Sequence, residues 1–185
     1  MKKSRKEIKY KVANSVCDKI KKELHKILKF DENVSKNNYY NILSIYFDNL
    51  DFKFFLDKVE GQENRVKPRL RYYFDDNLYP TKCFLELKKK YNAIGDKNKI
   101  QLPIKDALNF ANGKYKEIYK NYKNNRAFNE FLKLDKKFFL KPKVRIFYQR
   151  EAFYSDIFTG FRITFDRNIQ ASISKSTNLK TFNRS

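Results

Sequence analysis

Tryptophan is missing from this chain. Histidine, methionine, cysteine, glycine and proline are scarce: one His, one Met, two Cys, four Gly and four Pro in 185 residues. Each scarcity excludes something. Two cysteines, Cys17 and Cys83, build neither a disulfide framework nor a thiolate metal cluster, and they fit a reducing, cytoplasmic location. A single histidine, His25 on a polar part of a predicted helix, leaves no material for a histidine-based triad or a histidine metal site. With so little glycine there is no G-x-x-x-x-G-K-[ST] loop and no dinucleotide-binding fingerprint, so any phosphate must be held by side chains. No apolar run approaches the ~20 residues that span a bilayer, so no transmembrane segment is expected. The basic start M-K-K-S-R-K leads into no apolar stretch, so no secretory signal is expected either, and that makes a transmembrane β-barrel a poor reading.

Acidic residues are the other shortage. Asp and Glu number 21 against 42 Lys and Arg, a formal net charge of +21. A field of that size attracts polyanions such as nucleic acid, nucleotides or polyphosphate, and says nothing about fold. A solvated lysine-rich surface accounts for most of the lysines. It accounts less well for arginines that alternate with apolar residues.

That alternation is the main signal. Side chains on a strand alternate between its faces. In K-P-R-L-R-Y-Y (67–73), Arg69 and Arg71 share a face and Leu70 takes the other. In F-L-E-L-K-K-K (84–90), Glu86, Lys88 and Lys90 oppose Leu85 and Leu87. In V-R-I-F-Y-Q-R (144–150), Arg150 shares a face with Ile146 and Tyr148, while Arg145 points away. In F-R-I-T-F-D (161–166), Arg162, Thr164 and Asp166 oppose Phe161, Ile163 and Phe165. Two arginines side by side on a strand are a fork for phosphate oxygens. Alone, such a pair is more simply two exposed arginines, and Glu86 is more simply their cross-strand partner. One theme repeated on four strands favours an anion site.

Along the chain, residues 5–12 alternate as a first strand, with Glu7 and Lys9 on its charged face. A helix is predicted over 15–30 from the stripe Val16, Ile20, Leu24, Ile27 and Leu28. A strand follows at 41–48 and a short helix at 50–60. A hairpin is predicted from 65–74 and 82–91, turning at 75–77, then a short strand at 97–102. Pro103 opens a helical stretch through 135, and strands return at 143–154 and 160–170. No internal repeat or linker divides the chain. The expectation is one domain over residues 1–173 with a polar tail at 174–185. The fold class is α+β: an antiparallel β tunnel or barrel with helices outside. Such a basic interior repels itself when empty and makes sense as a wet tunnel or a polyanion site.

The ordered set R-K-E-I-K-Y (5–10), S-I-Y-F-D-N (44–49), K-P-R-L-R-Y-Y (67–73), F-L-E-L-K (84–88), V-R-I-F-Y-Q-R-E-A-F (144–153) and R-I-T-F-D (162–166) resembles the vacuolar transporter chaperone (VTC) domain. That domain is the polyphosphate polymerase branch of the triphosphate tunnel metalloenzymes. The resemblance implies a basic antiparallel tunnel that takes ATP with Mn²⁺ or Mg²⁺ and moves the γ-phosphoryl group onto a polyphosphate chain. It implies that Lys9, Arg69, Arg71, Lys88, Arg150 and Arg162 coordinate phosphate, with Lys97 or Lys99 as a further tunnel lysine. It also implies a late strand with a metal-binding glutamate. Residues 168–185 contain no Asp or Glu, so Glu86 and Glu7 are the acids left to hold a metal. The expectation is then a barrel incomplete at its C-terminal side, with three readings open: a truncated member of the family, a barrel completed by a partner or by self-association, or a member that has lost catalysis. Two other functions compete. One is a triphosphatase of the same fold. The other is a non-catalytic polyanion- or RNA-binding module, with Tyr and Phe available to stack on bases.

Overall fold

The computed structural model describes residues 7–31, 38–92 and 94–174. Among these it shows seven strands in one antiparallel sheet and five helices. The strands are β1 (Lys29–Phe30), β2 (Tyr40–Asp48), β3 (Arg65–Phe74), β4 (Pro80–Tyr91), β5 (Ile94–Leu102), β6 (Lys141–Tyr154) and β7 (Arg162–Ile173). The helices are α1 (Asn14–Leu24), α2 (Lys53–Val59), α3 (Ile104–Ala111), α4 (Tyr115–Tyr122) and α5 (Arg126–Phe138). Across the sheet the order is β7–β6–β2–β3–β4–β5. The two-residue β1 pairs with β6 beyond the end of β2, opposite Phe153 and Tyr154. The sheet curls into an antiparallel half-barrel. Among the described residues, β5 and β7 each pair along one edge only.

The alternation that suggested the strands also decides which face is covered. On the convex face, Leu43, Ile45 and Phe47 of β2, Leu70 and Tyr72 of β3, and Cys83, Leu85 and Leu87 of β4 are all essentially inaccessible. Helices α3 and α5 press Phe110, Phe128 and Phe131 onto them. Phe47 meets Phe110 and Phe131 edge-on, at 5.9 and 5.1 Å between ring centres. Burying a phenylalanine of this kind stabilises by roughly 1.5–3 kcal/mol. The helix ends are set locally. Asn125 accepts a hydrogen bond from the Phe128 amide (3.2 Å) and caps α5, and Pro103 precedes the first turn of α3. The buried Asp48 at the end of β2 accepts from the amides of Phe54 (3.0 Å) and Phe55 (2.9 Å). It thereby satisfies orphan donors of α2. The D-N that closes S-I-Y-F-D-N is thus a strand-to-helix joint.

Helix α1 lies on the convex side of β6 and β7. Lys21 reaches Glu151 (2.9 Å), and Arg167 reaches Asp18 (2.6 Å). It is shorter than predicted, ending at Leu24. His25 caps that end, with its ring edge-on to Phe30 and Phe153 at 4.8 and 5.1 Å.

One prediction is corrected. The strand expected at residues 5–12 does not form over its described part: residues 7–13 have no regular structure and pair with no strand. The reason is burial. Ile8, Tyr10 and Val12, its would-be apolar face, are exposed at 60%, 80% and 44%, so nothing holds that face against the sheet. Arg5 and Lys6 lie outside the described residues, as does the polar tail beyond Ser174.

Candidate functional site on the concave face

The register carries charge from strand to strand across the concave face. Tyr46 of β2 stands opposite Arg69 of β3, Arg69 opposite Glu86 of β4, and Glu86 opposite Lys99 of β5. One row away, Ser44 faces Arg71; on the other side, Lys67 faces Lys88, and Lys88 faces Lys97. Cross-strand partners share a face, so these side chains line one wall.

Glu86 is the centre of this wall, only 2% exposed. Arg69 donates to its Oε2 from Nε (2.9 Å) and Nη2 (2.7 Å). Arg71 lies 3.8 Å from the same oxygen, and Lys97 lies 2.6 Å from Oε1. Burial alone would push the Glu86 carboxyl up. The charges of Arg69, Arg71 and Lys97 outweigh it and hold the group down at about 2, so Glu86 is an anion at any ordinary pH. Arg69 also donates to the Tyr46 hydroxyl (2.9 Å), with its guanidinium 5.7 Å from the centre of that ring. Arg71 also makes a long contact with Ser44 Oγ, 3.5 Å. Lys97 is held below the ordinary lysine range by burial and by the nearby Arg71 and Arg69, against the pull of Glu86.

Farther along the same face, toward β6 and β7, stand Arg150 and Arg162. Arg150 grips Asp166 bidentately, Nε to Oδ1 at 2.6 Å and Nη2 to Oδ2 at 2.7 Å, and lies 5.2 Å above the Tyr148 ring. Arg162 donates to the Tyr40 hydroxyl (3.0 Å) and pairs with Asp31 (2.6 Å). Burial pushes the Tyr40 phenol up to about 12, against the pull of Arg162 and Arg150, so it stays a neutral hydroxyl.

The predicted residues therefore fall into three groups. Arg69, Arg71, Lys97 and Lys99 gather around Glu86, with Lys99 over the Phe84 ring at 5.2 Å. Arg150 and Arg162 sit on the outer strands of the same wall. Lys9 and Glu7 arrive from the irregular N-terminal segment. Glu7 pairs with Lys88 (3.0 Å) and lies 3.5 Å from the exposed Lys9, and the hydrogen bond from Lys88 holds its carboxyl below the usual range. Arg145 is buried on the opposite face, as the alternation predicts.

Sequence reasoning named Glu86 as the cross-strand partner of Arg69 and Arg71, as the structure shows, but did not pair the other partners with their arginines. Tyr40, Tyr46, Tyr148 and Ser44 lie under the arginines, and Asp31 and Asp166 hold the outer two. The alternation in S-I-Y-F could have placed Ser44 and Tyr46 on the arginine face. Asp31 carried no such signal.

The fit to a divalent metal is poor among the described residues. They contain no group of three or more His, Cys, Asp or Glu side chains able to hold one. Glu86 is already enclosed by three cations and Glu7 stands between two, surroundings that repel a second positive charge. A groove of about 410 Å³ lies elsewhere, between α4 and α5, lined by Tyr119, Lys123 and Leu132 among others.

Comparison with known proteins adds an independent finding. The family model of the VTC domain matches residues 4–183. No curated protein matches the chain. Among solved structures, a candidate adenylate cyclase from Bacillus halodurans aligns at 11% identity with a TM-score of 0.48, covering 89% of this chain and 77% of its own. A likeness that faint carries no argument about function.

Proposed function

The chain belongs to the VTC domain family, its match running over nearly the whole length, and on that premise we propose that its concave face binds the triphosphate of ATP and a polyphosphate chain, and passes the γ-phosphoryl group from one to the other. The observation that carries the reading is the surplus of cations on one wall. Arg69, Arg71 and Lys97 share a single acid, Glu86, and Lys88, Lys99, Arg150 and Arg162 extend the wall.

Phosphoryl transfer asks little covalent chemistry of a protein and much charge neutralisation and alignment. Arg69 and Arg71 offer paired donors to non-bridging phosphate oxygens, and Tyr46 and Glu86 fix the Arg69 plane before the ligand arrives. In the transfer, a terminal oxygen of the polyphosphate chain bonds to the γ-phosphorus. The bond to the β–γ bridging oxygen breaks, and ADP leaves with that oxygen. Since the described acids do not form a metal cage, Mn²⁺ or Mg²⁺ would have to come with the nucleotide, where it would offset phosphate charge. Arg150 and Arg162 then hold the chain at the far side of the wall.

The test is incubation of the purified protein with ATP and Mn²⁺ and assay of both products. Polyphosphate that lengthens with time supports the reading. Free phosphate without polyphosphate assigns the chain to triphosphate hydrolysis. Neither product, with RNA binding that survives Arg69→Ala plus Arg71→Ala, overturns the reading in favour of a surface polyanion module.

A further inference from the structure

At one end of the concave wall the sequence places like charges directly opposite each other. Lys67, Lys88 and Lys97 stand in one row across β3, β4 and β5, and in the next row Arg65 faces Lys90. Like charges opposed across strands destabilise a sheet. Neighbouring strands are only ~4.8 Å apart, so a row of three ammonium groups needs a counter-charge. Lys88 and Lys97 have one each, Glu7 and Glu86. Lys67 is different. It is half-buried, and its ammonium is held below the ordinary lysine range by burial and by the charges of Lys58, Arg65, Lys88 and Lys9. The charges that act on it most strongly are all positive. Arg65 spends one long contact, 3.4 Å, on the carbonyl of Gln62.

We infer that Lys67, with Arg65 and Lys58 beside it, is an anion subsite separate from the arginine site, and that it takes the outer phosphates of an inorganic polyphosphate chain longer than a triphosphate. The inference rests on the phosphate-binding reading of the arginines. Lys67 lies two residues before Arg69 on the same strand and face, ~6.7 Å along it. An anion held at Arg69 and Arg71 therefore continues onto Lys67 without leaving the wall. The subsite also sits where the wall is flanked by α2, which supplies Lys58. Half-buried between strands, it suits a bare anion with charge on every unit better than a nucleic acid, whose bases would have to clear the wall.

Two ligands separate the subsite from the arginine site: tripolyphosphate and long-chain polyphosphate, each titrated calorimetrically into the full chain. Replacing Lys58, Arg65 and Lys67 together by Met keeps the aliphatic stems. The triple variant should bind tripolyphosphate within about twofold of the unchanged protein and long-chain polyphosphate at least about tenfold more weakly. Lys67→Met alone should show the same preference, and Lys67→Arg should restore long-chain binding. Equal loss for both ligands overturns the inference, because the subsite would then be part of the arginine site. No loss for either overturns it too, leaving these residues as surface charge. Single-stranded RNA bound as tightly as the long chain, and weakened by the same substitutions, overturns the choice of ligand. Failure of the underlying reading looks different: Arg69→Ala plus Arg71→Ala would leave tripolyphosphate binding intact. If the triple variant does not fold, as judged by its denaturant midpoint, Lys67→Met carries the test.

Discussion

The two faces of the sheet handle charge differently. On the convex face, the ion pairs around α1 and α5 balance. Lys21 and Arg167 meet Asp18 and Glu151, and Lys89 and Arg126 meet Glu130 and Asp96. On the concave face three cations, Arg69, Arg71 and Lys97, converge on one buried acid. Strand β3 carries both regimes, with Leu70 and Tyr72 in the core and Arg69 and Arg71 on the wall. Balanced clusters pin helices to a sheet. An unbalanced one keeps a net positive charge that an anion can offset. On the proposed reading, that difference separates charges that only hold the fold from charges that also face a ligand.

The largest effect that would test this contrast is on binding. Arg69→Ala with Arg71→Ala removes two charge-assisted contacts of about 1.5–3 kcal/mol each, so tripolyphosphate affinity should fall at least about 100-fold by calorimetry. A core substitution should do the reverse. Phe131→Ala should cost about 3–5 kcal/mol in urea unfolding, because Phe131 is fully buried against Phe47 and Phe110. Ligand affinity, measured where the variant is still folded, should hold.

Glu86→Gln sits between the two regimes. It should destabilise the free protein by about 2–3 kcal/mol, since three cations lose their common acid. Tripolyphosphate should then raise the melting temperature of Glu86→Gln more than that of the unchanged protein. An equal rise would show that the ligand does not take over the role of Glu86. The acid limb of stability reports the same group. The Glu86 carboxyl ionises at about 2 in the folded state, against 4.5 ordinarily. Its stabilisation is therefore complete above pH 4.5 and is lost as pH falls toward 2. Circular dichroism of acid unfolding should show this slope, and Glu86→Gln should lack it.

The smallest effect belongs to the convex side. Lys89→Met alone leaves Glu130 with fewer partners and should cost about 1–3 kcal/mol, whereas Lys89→Met with Glu130→Leu should be nearly neutral in the same assay.

Most of the sheet was legible because strands read through a period of two, and Leu85, Glu86, Leu87 and Lys88 state that period without ambiguity. The same rule misled at Ile8, Tyr10 and Val12. Alternation shows which face a strand would bury and not whether anything arrives to bury it. Arg69, Arg71, Arg150 and Arg162 could be placed on one wall from sequence, since each lies at the right parity within its strand. Their partners could not all be placed. Asp31 reaches Arg162 from a loop far away in the chain, and Glu7 reaches Lys88 across 81 positions. Those contacts follow from tertiary closure, which no local period encodes. Tyr46 was readable in principle, but its parity matters only once Arg69 is known to stand opposite.

Glu86 has a consequence for timing. Arg69 is fixed to this carboxylate by two hydrogen bonds, and Arg71 and Lys97 gather on it, while the chain folds and before any ligand is present. Ordering such long side chains costs about 0.5–1.5 kcal/mol each when it happens at binding. Here that entropy is lost once per folding event instead of once per encounter. If the proposed reading holds, an arriving phosphate meets donors already at their stations, and its departure leaves them there for the next.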